Sequence, residues 1–290
     1  MIGDVVGDPG LDVLERLLPG LIKQNSADFV MVNGENAAGG FGLTLASLER
    51  LLAAGADVVS SGNHVWEKRE FWPVLDTNGR VLRPMNYPER PGIGRGWLRL
   101  EKLSPWGPVA WLAVNLQGRE LMTPIDCPFR SFDSLEIHME NGFPCYDLCE
   151  DLEAALEKQT QSEDESPIER PIILVDFHAE SSREKEALAY YLDGRVSVVC
   201  GTHTHVQTAD ERILPKGTAY ITDLGMTGVS DGIIGMDRKI CLDRARNQVL
   251  YRMEVASAGE GGKTQVQGII AEIDAEIRKA ISIKRFNATA

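Results

Sequence analysis

Short apolar runs alternate with segments of helical period through the first third of the chain. Asp8 and Pro9 suit the N-cap and first turn of a helix, and Leu11, Leu14, Leu17 and Leu18 give it an apolar stripe. Pro19 is expected to end or kink that helix. "DFVMVNG" reads as a buried strand, "LTLASLERLLAAG" as a helix closed by Gly55, "DVVSSGN" as a strand and "EKREFWPVLD" as a short helix. This βαβαβα opening predicts a largely parallel sheet.

The rhythm then changes. "GWLRLEKL" and "VAWLAVNL" flank "SPWGP" as a hairpin, whereas segment 116–147 shows no clear period. Residues 148–158 read as a helix, and 159–169, polar and acidic, as an exposed loop within a single domain spanning 1–290. "PIILVDF" is strand-like, "EKEALAYYLDG" helical, and "VSVVCG" and "TAYITDLG" are strands. "QVLYRMEVA" and "TQVQGIIAEID" alternate like antiparallel β-structure. The sum is two sheets covered by helices, an α/β sandwich.

Composition narrows the partners. A chain of 290 residues with 43% hydrophobic side chains supports one sizeable core. Its net charge of -13 argues against duplex nucleic acid and against an anionic membrane surface. A small anionic substrate stays open, because a metal supplies positive charge locally. Among the cysteines only Cys145 and Cys149 lie close in sequence, so no disulfide framework is expected. No basic-then-apolar leader opens the sequence and no stretch approaches about 18 apolar residues, so a cytoplasmic protein is expected, with homo-oligomerisation left open.

The chemistry collects where the apolar runs stop. Asp4 ends the first run, Glu35 and Asn36 the second, Asn63 and His64 the third, His178 a later one, and His203 and His205 follow "VSVVC". Four of the five histidines are among them. Strand alternation would set His203 and His205 on one side at a strand's carboxyl end, where open α/β sheets place ligands. Imidazole, carboxylate and amide oxygen without thiolate suit iron, manganese or zinc in a reactive site. The ligands exceed what one tetrahedral ion needs; two ions sharing a carboxylate would use them, with Glu35 the candidate bridge.

Each residue also has an ordinary reading: Asp4 as a helix cap, Asn36 and Asn63 as turn residues, His178 as a buried hydrogen-bonded ring. The joint order and spacing favour the metal. His138 lies outside every motif and reads as a surface histidine. Phe41 and Trp66 adjoin proposed ligands and either stack on a base or pack. "GEGGKT" mimics part of a phosphate loop but lacks its first glycine, so it reads as a hairpin turn.

Taken together, "IGDVVGDPG", "NGENAAGGFGL", "SGNHVW", "VNLQGR", "DFHAE", "GTHTHVQTADERILPKGTAYITDLGMTG" and "GIIGMD" resemble the YmdB-like metallophosphoesterases of the calcineurin-like superfamily. The resemblance implies a four-layer α/β/β/α sandwich and a dinuclear centre, usually of iron. It implies phosphodiesterase activity on small phosphoesters such as 2′,3′-cyclic nucleotides, through attack by a metal-activated water. It puts Asp4, Glu35, Asn36 and His205 on one metal, Glu35, Asn63, His178 and His203 on the other, and leaves His64 as proton donor. The wider superfamily begins Asp-x-His and follows Asn-His with an acid; here Val5 and Val6 follow Asp4, Val65 follows His64, and Asn36 takes the missing histidine's place. Members usually carry more apolar residues ahead of the first Ile-Gly-Asp than Met1, so the first strand is expected to be marginal for holding Asp4. A regulatory or scaffolding protein built on the same ligands, or RNA processing by the same centre, are the alternative readings.

Overall fold

The apolar runs become strands of two sheets. The computed structural model describes residues 1–88, 93–104, 107–140, 170–259 and 262–290. In the first sheet β1 (Asp4–Val5) runs parallel to β10 (Met226–Val229), which pairs antiparallel with β11 (Thr264–Ile273), itself paired with β12 (Ala280–Thr289). The parallel pair β2 (Met31–Asn33) and β3 (Val58–Ser60) joins it through Ile2, which bridges Val32 on one side and Gly268 on the other. The second sheet has the order β4 (Trp97–Ser104), β5 (Gly107–Gln117), β6 (Ile172–His178), β7 (Val198–Thr202), β9 (Ala219–Ile221), β8 (Arg212–Ile213). Its four middle strands are parallel, and the predicted β4–β5 hairpin lies at one edge.

Strand alternation explains the packing. In β6, Ile173, Val175 and Phe177 face α4 (Pro128–Glu140) and α5 (Ser182–Leu192), meeting Phe132, Leu135, Leu188 and Leu192. Ile172 and Leu174 face the other way, into a cluster shared with Met31, Val58 and Ile269 of the first sheet. Covered on both faces, the strand reads as a continuous apolar run. On the far face of the first sheet, α1 (Gly7–Asn25) and α2 (Leu45–Ala53) bury Leu11, Leu14, Leu18, Leu48 and Leu51 against Val5, Val32 and Val59. Residues Arg69–Phe71 form a short 3-10 turn that enters α3 (Trp72–Thr77).

Several expectations need correction. The first helix begins at Gly7 after Val6, with no side-chain cap, and Asp8 instead pairs with Arg50 on the surface. Pro19 neither ends nor breaks that helix, which continues to Asn25. It sits on the exposed face of the helix. Segment 116–147 holds α4, whose buried Phe132 and Leu135 are three apart and easily lost among polar neighbours. "QVLYRMEVA" forms no strand beyond a bridge from Val255 to Met236. It follows α6 (Arg238–Asn247), and with Leu250 86% exposed its alternation has no sheet to face. The predicted helix at 148–158, the acidic loop at 159–169, Cys145, Cys149 and the middle of "GEGGKT" lie outside the described residues. Among the described residues Cys127, Cys200 and Cys241 are free thiols, and no helix is long and apolar enough to cross a membrane.

One carboxylate clamps the two sheets together. Asp176 shares the inward face of β6 with Leu174 and His178, and is 1% exposed. It accepts hydrogen bonds from Asn33 Nδ2 on β2 (3.0 Å), Ser60 Oγ on β3 and Thr202 Oγ1 on β7 (2.7 Å). Burial pushes its carboxyl above the usual range, against His178 and these three donors, which favour the charged form. Asp176→Ala would strand three buried donors, at roughly 1 kcal/mol or more each. A loss of about 3 kcal/mol or more in urea denaturation is expected; a loss under about 1 kcal/mol would show that the clamp does not hold the sheets.

Candidate metal centre

The ends of β1, β2, β3, β6 and β7 converge between the sheets, and they bring the predicted ligands with them. His178 leaves β6 on the same face as Asp176 and is fully buried. Its Nδ1 donates to Thr202 Oγ1 (2.9 Å), because that hydroxyl spends its own proton on Asp176. The tautomer is thereby set, and the Nε2 lone pair is turned into the cleft. There it lies 2.9 Å from Glu35 Oε1, 3.1 Å from Asn63 Oδ1 and 3.0 Å from His203 Nδ1. One ring nitrogen cannot satisfy three acceptors. Four lone pairs facing a common point are what a cation requires. Glu35, His178 and His203 present ligand atoms all within 4.8 Å of one another.

The remaining predicted ligands gather beside Asp4. Its Oδ2 accepts from the His203 N–H (3.2 Å), and its Oδ1 lies 3.9 Å from His205 Nε2. His205 donates Nδ1–H to the Ile234 carbonyl (2.8 Å), so its Nε2 lone pair also points inward. Asn36 spends its amide nitrogen on the Gly40 carbonyl (2.9 Å). Asp4 Oδ1 and Asn36 Oδ1 are buried with no hydrogen-bond partner. Buried oxygens left unpaired in this way fit a second cation. The short first strand holds Asp4 because Gly3 and Val6 bond to Gln267 and Thr227, bracketing it in the ladder.

The two histidines of "THTH" do not reach the centre by strand alternation as expected. β7 ends at Thr202, and His203 (φ 101°) and His205 (φ 63°) are both left-handed. This backbone sends His203 toward Glu35 and His178 and His205 toward Asp4. Asp223 anchors the turn: its Oδ2 accepts from Thr204 N–H and Oγ1, and from Lys185 Nζ at 2.7 Å, a pair 1% exposed on each side. Glu35 is held by its own N–H on Asn33 Oδ1 and by the His64 N–H on Oε2 (3.2 Å). Gly62 makes room, since a Cβ there would sit 2.2 Å from the His178 ring and 2.3 Å from Glu35 Oε2. His64 stands apart from the cluster, partly exposed, with Nδ1 3.3 Å from Glu67 Oε1.

Comparison with known proteins identifies the group to which this arrangement belongs. The profile of the YmdB-like protein family matches residues 1–286. The chain belongs to this family. A Bacillus subtilis 2′,3′-cyclic-nucleotide 2′-phosphodiesterase is 42% identical to it over 98% of this chain and 94% of that protein. A solved hypothetical protein from Thermus thermophilus superposes with a TM-score of 0.79 at 37% identity, covering 99% of this chain and 97% of its own. A phosphatase from Mycoplasma pneumoniae does so at 0.80 and 28%, covering 99% and 92%.

Sequence reasoning missed several residues that serve this YmdB-like centre. Asp176 and Asp223 were visible only as acids inside the strand-like runs "IILVDF" and "AYITDLG", and Lys185 as a cation on a helix. Phe41 packs edge-on against the His64 ring at 5.1 Å, whereas Trp66 packs against Trp72 and Tyr87. His138 is exposed on α4, as expected.

The charges are strongly coupled. Burial disfavours a charged His178, but Glu35, Asp4 and Asp176 outweigh it and raise the ring to about 9. Burial also opposes the Glu35 charge, yet His178 and His64 bring that carboxyl down to about 2. Burial lifts Asp4 to about 6 against the pull of His205 and His178. Burial and the neighbouring His178 push His203 down to about 3. A proton on His178 therefore stands in for a cation.

Two outcomes follow for the protein treated with chelator. A histidine raised from 6.5 to about 9 stabilises the fold fully below pH 6.5 and loses that contribution as pH rises through 9. The urea midpoint should fall across this window, and loading with metal should flatten the slope; a flat profile without metal would refute the assignment. Gly62→Ala, by driving a methyl group into His178 and Glu35, should lower metal affinity at least about tenfold in chelator competition. Unchanged affinity would show that the close approach is not needed.

Proposed function

We propose that the chain is a dinuclear metal-dependent phosphodiesterase that hydrolyses small phosphoesters, with 2′,3′-cyclic nucleotides as the natural class. The observation that carries this reading is the convergence of Glu35, Asn63 and His203 on one nitrogen of His178, beside the unpaired oxygens of Asp4 and Asn36. The 42%-identical Bacillus subtilis relative supports the substrate class by its name. On this reading the two sheets and their helices form a four-layer α/β/β/α sandwich of the calcineurin-like type. Glu35, Asn63, His178 and His203 would hold one ion, and Asp4, Glu35, Asn36 and His205 the other. Imidazole, carboxylate and amide donors without thiolate suit iron, manganese or zinc, and the family resemblance favours iron among them. Ions held there supply Lewis acidity toward the phosphoryl oxygens and a nucleophile at neutral pH.

The chain's own residues do the rest. The His64 N–H fixes Glu35 Oε2 while its ring stays out of the ligand cluster. Glu67 accepts from Nδ1–H, and the T-shaped contact with Phe41 limits the ring's rotation, so Nε2 is the nitrogen turned to the substrate, and it donates when the ring is in its imidazolium form. That nitrogen protonates the leaving ribose oxygen, with attack in line from the opposite side. Gly62 keeps the floor of the cleft free of side chains next to the ligands.

His64→Ala is expected to keep both ions, since no ligand is removed. Its rate on a ribose cyclic phosphate should fall by on the order of 10²–10⁴, the usual worth of a general acid. A nitrophenyl ester, whose leaving group departs unprotonated, should lose far less. Equal losses on both esters would remove the proton-donor role, and loss of an ion would make His64 a ligand.

A further inference from the structure

Each imidazole of the centre divides its nitrogens between the ligand cluster and a protein partner. For His178 the partner is the buried Thr202 hydroxyl, and for His205 it is the Ile234 carbonyl. His203 uses the opposite nitrogens: Nδ1 faces His178, and Nε2 lies 3.1 Å from Glu180 Oε2. Glu180 sits two residues beyond His178, just past the end of β6, and its side chain is 46% exposed, so no packing demand accounts for the contact. Asp223 and Asp4 anchor the backbone on either side of the His203 Cα, but neither touches the ring.

We propose that Glu180 is a positioning residue for His203. Its carboxylate accepts the Nε2–H, which fixes the tautomer and aims the Nδ1 lone pair at the point shared by Glu35 and His178. A histidine ligand whose second nitrogen donates to a carboxylate is both better oriented and more basic. The inference rests on the metal-centre reading above and adds the group that aims a partly exposed candidate ligand set in a left-handed backbone.

The test compares Glu180→Ala and Glu180→Gln with the parent, using Mn²⁺ as the probe in chelator competition. Alanine should weaken Mn²⁺ retention by about 10–100-fold, while glutamine, which still offers an acceptor oxygen, should stay within about threefold of the parent. Denaturation of the chelator-treated proteins should be unchanged in both, because the side chain is half-exposed. Nitrogen-15 spectra of the metal-free parent should show His203 as the Nε2–H tautomer, and those of Glu180→Ala a mixture. Parent-like retention in the alanine variant, or an equal loss in the glutamine variant, would overturn the assignment. A parent that binds no Mn²⁺ at all would overturn the centre itself, and this role with it.

Discussion

The structure depends on a buried carboxylate placed where two sheets meet. Asp176 projects from the inner face of β6 and receives donors from β2, β3 and β7, so the ends of four strands are tied to one group. Apolar packing alone would bring the sheets together without fixing their offset, since it is non-directional. Hydrogen bonds to a carboxyl group are directional, and they supply that offset. The cost is a desolvated carboxyl group, met by three donors and the nearby His178.

From that clamp the geometry of the centre propagates outward. Asp176 takes the Thr202 proton, Thr202 takes the His178 Nδ1 proton, and His178 Nε2 is left facing Glu35, Asn63 and His203. On the other side Asn33 links Asp176 to the Glu35 backbone through the two ends of its amide. Two ligands from different sheets are thus oriented by the same acid. The centre is rigid because its supports are strand ends and buried side chains, where rotamers have no freedom to relax.

The electrostatics follow from the same arrangement. Asp4, Glu35, Asp176 and Asp223 are each 1% exposed or less, and among the described residues near them Lys185 is the one buried fixed cation. Lys185 is committed to Asp223, which leaves the cleft side short of positive charge. Protonation of His178 makes up part of the deficit in the metal-free protein. On the proposed reading, a chain of net charge -13 would meet an anionic phosphoester with positive charge concentrated at one point rather than spread over a surface.

Much of this was legible in the sequence, for a definite reason. Period-two and period-3.6 patterns are local, so the strands β2, β3, β5 and β6 and the helices α2 and α5 could be read directly. Open α/β sheets place ligands where strands stop, so Asp4, Glu35, Asn36, Asn63, His64, His178, His203 and His205 could be named as candidates from position and chemical type. The supports could not. Asp176 interrupts an apolar run and looks like a flaw until Asn33 and Ser60, more than a hundred residues away, are seen to meet it. The left-handed turn at His203 and His205, the approach of Gly62 to the His178 ring, and the burial of Phe132 and Leu135 on α4 while the start of "QVLYRMEVA" stays exposed are likewise set by contacts distant in the chain. Residue type and period are properties of a short window, whereas which face of a strand or turn finds a partner is decided only when the two sheets close on each other.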